Sequence, residues 1–311
     1  MSESYLSSEG FISFRGFNVW YGIAGTEDAP GKLPLLVVHG GPGLPHDALE
    51  PLARLADAGR RVIFYDQLGC GNSDRTADPS IYTIDLFVEE LGVIRQALDL
   101  PRIHLLGHSY GGPLCLQYVL TQRPTGLASL ILSDTFASVP GLVSGWNALR
   151  GQFPSEVRET LERHEAADTT ESEEYQALLG QYFIAKHVLT VPPTDGLIRA
   201  QQKMSNDVYR ALHGTQWFKA TGEYATWDVT DRLCEISVPT LVIAGEDDQC
   251  VPALSEAIHR GIADSSLCIF EGCSHVPFIE RPEMFDEILN QFMDRIEQPI
   301  PRSADTGHQR S

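Results

Sequence analysis

The hydropathy pattern of this chain changes period several times along its length. Over residues 10–24, apolar and polar positions alternate on either side of Gly16, the period of an antiparallel hairpin. Residues 33–38 and 61–65 are almost unbroken apolar runs, as expected of strands covered on both faces. Similar runs follow at 103–106, 127–132, 239–245 and 266–270. Between them lie stretches with helical spacing at 47–58, 84–98, 113–120, 253–262 and 282–296. Strand alternating with helix predicts an α/β fold with a mostly parallel sheet and helices on both faces.

That rhythm is interrupted once. From about Phe136 to Val229 no strand pattern appears, and helix-compatible segments are punctuated by Pro140, Pro154, Pro192-Pro193 and Gly214. This predicts a core built from residues 1–136 and 230–297, with a helical cap inserted at 137–229. The acidic, weakly hydrophobic part of the cap, 156–174, is expected to face solvent or form a mobile flap. Residues 298–311 are polar and proline-containing and are expected to be disordered. No internal repeat is present.

Composition narrows the function classes. The chain has 23 basic and 42 acidic residues, a formal net charge of −19, which disfavours nucleic acid and anionic membranes as partners. No apolar run approaches the roughly 18 residues of a membrane span. The first residues lack the basic start and apolar stretch of a signal peptide, so a cytoplasmic protein is expected. The six cysteines show neither C-x-x-C spacing nor a disulfide framework, and Cys268 and Cys273 lack partners for a zinc site.

The candidate chemistry starts at Gly107-His108-Ser109-Tyr110-Gly111, a G-x-S-x-G motif between a strand and a helix. Such a turn exposes its serine as a nucleophile, and glycines on either side keep the neighbouring strand and helix from colliding. A serine hydroxyl needs a base to take its proton, and the base needs an orienting carboxylate. His275 lies in a small-residue loop after the last strand, on the rim of the sheet where Ser109 also sits. His108 is a rival base beside the nucleophile but is expected to point elsewhere, and His39 reads as structural. One acid of Glu246, Asp247 and Asp248, which follow a buried strand, should be the orienter. Serine, acid, histidine in that chain order is the order of the α/β-hydrolase fold. An oxyanion hole needs two N–H donors. Tyr110, after the nucleophile, offers one. In the glycine-rich loop 39–43, Pro42 has no N–H, which points to Gly41 for the other. Neither glycine-rich loop has phosphate-binding or dinucleotide spacing, so neither an organic cofactor nor a metal is expected.

Taken together, His39-Gly40-Gly41-Pro42-Gly43, Asp66-Gln67-Leu68-Gly69-Cys70-Gly71-Asn72-Ser73, the serine motif, the 245–248 turn and His275 resemble the proline iminopeptidase family of α/β-hydrolases. The chain is especially similar to the L-amino-acid amidases, or L-proline amide hydrolases, of that family. The resemblance implies that Asp248, three residues after the turn glycine, is the catalytic acid, and supports Gly41 and Tyr110 as oxyanion donors. Gly40, Trp217 and Gln249 are the candidates to border the substrate. Family iminopeptidases hold the substrate's α-amine with glutamates, one just after the catalytic acid and one in a G-P-x-E-F cap segment. Here Gln249 and Gly214-Thr215-Gln216-Trp217-Phe218 stand at those places, leaving Glu223 as a possible cap acid.

The expected activity is therefore serine hydrolysis of a small amide such as L-prolinamide through an acyl-enzyme. The alternatives are an iminopeptidase acting on peptide N-termini, an esterase or lactonase of neutral substrates, and, outside catalysis, a ligand receptor on a hydrolase fold. The expected partner is a small-molecule substrate, and sequence says nothing of oligomeric state.

Overall fold

A computed structural model describes residues 5–298. Strands β1 (Ser8–Phe14) and β2 (Phe17–Ala24) form the antiparallel hairpin around Gly16. The other six, β3 (Leu35–Val38), β4 (Val62–Tyr65), β5 (Ile103–His108), β6 (Leu127–Ser133), β7 (Thr240–Gly245) and β8 (Ser265–Phe270), are parallel. They complete one eight-stranded sheet in the order β1-β2-β4-β3-β5-β6-β7-β8. Outside the cap, the connecting helices are α1 (Ile84–Ala97) and α2 (Gly111–Gln122) in the first half of the chain. The later ones, numbered after the cap helices, are α9 (Pro252–Gly261), α10 (Pro277–Glu280) and α11 (Pro282–Glu297).

The apolar runs are explained by where their side chains go. In β3, Leu36 and Val38 pack on one side with Ile63, Tyr65, Leu105 and the inner faces of α1 and α2. Leu35 and Val37 pack on the other with Val62, Phe64, Leu106 and α11. Each central strand is thus apolar on both faces, which hides the period-2 signal of a half-exposed strand. The stretch 47–58 departs from the expected α-helix: His46–Ala58 winds as 3-10 turns. Pro51 lies in its middle, without an N–H and with a ring that crowds the preceding turn, which opposes a regular i→i+4 ladder.

The chain leaves the sheet after β6 and returns before β7. Between these points run α3 (Val139–Arg150), α4 (Ser155–Ala166), α5 (Glu173–Leu179), a π turn into the short α6 (Ala185–His187), α7 (Asp195–Gln202) and α8 (Asn206–Leu212). The two arms of this excursion are joined at its neck, where Ser138 pairs with Asp228 and Ser138 Oγ donates to the Asp228 carboxylate at 2.7 Å. Further bonds pin the helices over the carboxyl ends of the strands: Ser205 N–H to the Gly43 carbonyl at 3.0 Å, and Gln249 N–H to the His187 carbonyl at 2.9 Å. Of the tail, only Gln298 falls within the described residues. Among the described residues, no helix is long and apolar enough to cross a membrane.

The opposite end of the sheet is held by charge. Arg60, fully buried, donates to Glu297 at 2.7 Å, while Glu297 also accepts from the Leu33 N–H at 2.7 Å and meets His104 Nε2 at 3.1 Å. Burial alone would push the Glu297 carboxyl up, but bonds from His104, Arg60 and Leu33 outweigh it and hold it down at about 2. A folded-state value below the ordinary 4.5 stabilises the fold fully above pH 4.5, and this contribution is lost as pH falls toward 2. The Glu297→Gln variant is expected to melt lower at pH 7 and to lose less Tm than wild type between pH 5 and 3, as followed by circular dichroism. Parallel Tm curves for the two proteins would refute this role.

Candidate active site

β5 ends at His108, and the next residue turns sharply into α2. Ser109 has φ +54°, a conformation rarely adopted by residues other than glycine. The strain is fixed from several sides. Ser109 N–H donates to the Ser133 carbonyl at 3.0 Å, and its carbonyl accepts from Thr135 Oγ1 at 2.6 Å and from Gly112 N–H at 2.9 Å. A side chain at Gly111 would collide with the Val38 carbonyl. Only glycine lets α2 start this close to β3, and this closeness is what turns Ser109 out of the sheet.

The other candidates come from loops at the same rim. His275 Nδ1 lies 2.6 Å from Asp248 Oδ1, and both side chains are buried. A carboxylate can only accept here, so the proton sits on Nδ1 and leaves Nε2 as an acceptor. Asp248 Oδ1 also accepts from the Cys250 N–H at 2.8 Å. The neighbouring acids divide by exposure: Glu246 and Asp247 face solvent and Asp248 is buried. The His275 loop is anchored by Glu280, which accepts from the N–H and Oγ of Ser274, each at 2.6 Å, and from Thr190 of the cap. Burial pushes the His275 imidazole down, to about 3, which favours the neutral ring. Among the described residues no hydrogen bond joins Ser109 Oγ to His275; such bonds commonly tighten only when substrate is bound.

His108 has a place that its sequence position did not reveal. Its Nε2 lies 3.0 Å from the His275 carbonyl, and the two rings are 4.9 Å apart between centroids. Burial holds it neutral, pushed down to about 3, so it donates to that carbonyl and braces the His275 loop. His39 is structural: its Nε2 accepts the Gln67 N–H at 2.9 Å.

Ser109 opens into a small cavity of about 50 Å³ beneath the cap. Gly41, Tyr110, Trp217 and Gln249 line it, together with Phe136, Trp146, Tyr209, His213, Tyr224 and Cys250. Sequence pattern alone did not single out these last six, because apolar and aromatic residues in cap helices and loops read as core. Among the described residues, neither the Gly41 nor the Tyr110 backbone N–H has a hydrogen-bond partner. Gly40 packs against the Ser109 side chain and the His108 carbonyl rather than lining the cavity. The indole N–H groups of Trp146 and Trp217 and the Gln249 side-chain carbonyl are buried without partners among the described residues. Glu223 does not reach this space; its carboxylate caps α1 by accepting the Ile84 N–H. The Gln216 amide turns away to the Glu165 carbonyl. Asp248, Cys250 and His275 bring three donor atoms within 4.8 Å of one another, a spacing a metal ion could use, but the Asp248–His275 bond already engages two of them.

Residues 34–282 match the family model of the α/β hydrolase fold. A proline iminopeptidase of Clostridioides difficile is 35% identical over 292 residues, spanning 92% of this chain and 98% of its own. The chain belongs to the proline iminopeptidase family of α/β-hydrolases. Another such enzyme, from Heyndrickxia coagulans, is 36% identical with 93% and 99% coverage. Among solved structures, the proline iminopeptidase of Mycobacterium smegmatis superposes with a TM-score of 0.86 at 35% identity, covering 93% of this chain and 99% of its own. VinJ does so with a TM-score of 0.88 at 33% identity, covering 94% and 99%. Membership makes this chain a serine hydrolase of the aminopeptidase-like type.

The narrow approach to Ser109 is directly testable. In Gly40→Ala the new methyl would lie 2.7 Å from Ser109 Cβ and 2.8 Å from the His108 carbonyl, so the turn must shift. A displacement of this order is expected to cost about 100-fold in kcat/KM with the far-UV spectrum unchanged. Wild-type kinetics in the variant would show that Ser109 tolerates the intrusion and is not held as described.

Proposed function

We propose that this protein releases an N-terminal proline, or a residue of similar size, from short peptides and aminoacyl amides by way of an acyl-enzyme at Ser109. The observation that carries this reading is a strained Ser109 that opens into a cavity roofed by the cap, at the same rim of the sheet as a buried His275–Asp248 pair. The sequence's resemblance to the L-amino-acid amidases makes an amino-acid amide such as L-prolinamide the first choice. The relatives, named proline iminopeptidases, favour peptide N-termini instead, and the amide becomes the simplest member of the same substrate class.

In the proposed cycle Ser109 Oγ attacks the prolyl carbonyl while His275 Nε2 takes its proton. The tetrahedral oxyanion accepts the free N–H groups of Gly41 and Tyr110. His275, oriented by Asp248, returns the proton to the leaving amine, and water activated by the same imidazole releases the acid. Among the described residues no carboxylate lines the cavity, so the substrate's ammonium would be held by the Gln249 carbonyl and the ring faces of Trp146, Tyr209, Trp217 and Tyr224. Cation–π contacts of this kind contribute about 2 kcal/mol when desolvated. The same uncharged lining supports neutral esters as the second reading.

Two measurements test this. Ser109→Ala is expected to reduce turnover at least about a thousandfold with its melting curve retained, and to abolish labelling by a fluorophosphonate. A panel of prolyl peptides, proline β-naphthylamide, L-prolinamide, N-acetylprolinamide and p-nitrophenyl esters is expected to rank free prolyl compounds first, with acetylation of the amine costing 100-fold or more. Equal turnover of acetylated and free amines, or faster turnover of the esters at matched leaving-group reactivity, would refute the aminopeptidase reading.

A further inference from the structure

A second buried carboxyl group lies beside Asp248. Asp134 follows the last residue of β6 and, like Ser109, has positive φ, +53°. It is completely buried. Its N–H donates to the Ile243 carbonyl at 2.8 Å, Oδ1 accepts the Gly245 N–H at 3.0 Å, and Oδ2 lies 2.5 Å from Ser133 Oγ. It therefore ties the end of β6 to the turn that carries Asp248. Asp248 spends Oδ1 on His275 and the Cys250 N–H, while its Oδ2 is buried with no N–H or hydroxyl donor among the described residues. The two carboxyl groups lie within hydrogen-bonding reach of each other.

Two carboxylates this close cannot both be ionised when no cation compensates them. Among the described residues, no lysine or arginine pairs with either; the ion-pairing partner of Asp248 is His275, and Asp134 has none. The titratable groups facing the pair are His275, Cys250, Cys273 and Glu280. All are neutral or acidic, apart from His275 when it carries the transferred proton. We infer that Asp134 is protonated in the resting enzyme and donates a hydrogen bond to Asp248 Oδ2, which makes it a positioning residue for the acid that orients His275. Asp248 Oδ1 already accepts the His275 Nδ1–H and the Cys250 N–H while Oδ2 has no donor, so a proton held on Asp134 satisfies Oδ2 and leaves Asp248 able to accept from the imidazole. Asp248 is then left with one negative charge, directed through Oδ1 at the imidazole. The sequence signal was modest: an acid immediately after a buried strand, at the carboxyl rim where the other site residues sit.

The inference rests on the proposed role of Asp248 and can be tested apart from it. Asp134→Asn keeps a donor and cannot ionise. It is expected to hold kcat within about threefold of wild type at pH 7 and to extend the activity plateau to higher pH, because wild type loses activity when Asp134 ionises and the variant cannot. Asp134→Ala removes the donor and is expected to lose 10- to 100-fold in kcat with little change in KM. Infrared difference spectra should show a protonated-carboxyl band in wild type that is absent from Asp134→Asn. If Asp134→Ala does not fold, the spectrum and the Asp134→Asn pH profile still decide. No such band in wild type, or a pH profile unmoved by Asp134→Asn, overturns the inference. Asp248→Asn is the control: wild-type turnover there would instead refute the role of Asp248, whatever the spectrum shows for Asp134.

Discussion

The contact between the start of α2 and the end of β3 is the constraint on which this molecule turns. Gly111 leaves no side chain against the Val38 carbonyl, and a Cβ at Gly107 would sit 2.5 Å from the Gly111 carbonyl. A helix held this close to the sheet forces the intervening residue into positive φ, and the bonds to Ser133, Thr135 and Gly112 keep it there. Backbone strain of this kind costs on the order of 1–3 kcal/mol and persists only where surrounding packing over-determines it. Here the determining parts are the central strands, buried on both faces.

Around that turn, the electrostatics are those of a site without a fixed cation. The chain carries a net charge of −19, yet its deepest acids are handled one by one. Asp66 is paired with His46 at 2.7 Å, Glu297 with Arg60 and His104, and Glu280 with four hydrogen-bond donors. Asp248 faces both an imidazole and another buried carboxyl. Sharing a proton is the inexpensive way to leave a single charge in so dry a place, and a single charge is what orienting one histidine requires.

The cap contributes shape rather than charge. Trp146, Trp217, Tyr209 and Tyr224 close over Ser109, with Tyr224 stacked on Tyr110 and bonded to His213 at 2.8 Å. These rings pack against one another as a small hydrophobic core would, and the same faces bound the cavity. His187 links this layer to the catalytic rim, with its carbonyl on the Gln249 N–H and its Nδ1 2.8 Å from the Asp247 carbonyl. Two hydrogen bonds thus tie the cap to the turn that holds Asp248.

The eight strands, the helices that cover them and the α/β-hydrolase architecture were legible in the sequence, because apolar runs and their spacing are local consequences of burial. So were the serine turn and the rim loop with His275, since strand ends at one edge of a parallel sheet converge whatever the details. The 3-10 course of 46–58 was written in Pro51 but masked by helical periodicity. What local pattern could not carry was which acid of three is buried, that His108 braces the His275 backbone, that Glu223 caps a helix instead of entering the cavity, and that Asp134 lies against Asp248. Each of these is a meeting of residues dozens to more than a hundred positions apart, fixed by how β6, β7 and the cap pack together. The sequence by itself determined the fold and the type of chemistry; only the tertiary structure decided which buried groups touch, because desolvation and proton sharing depend on neighbours that no local spacing specifies.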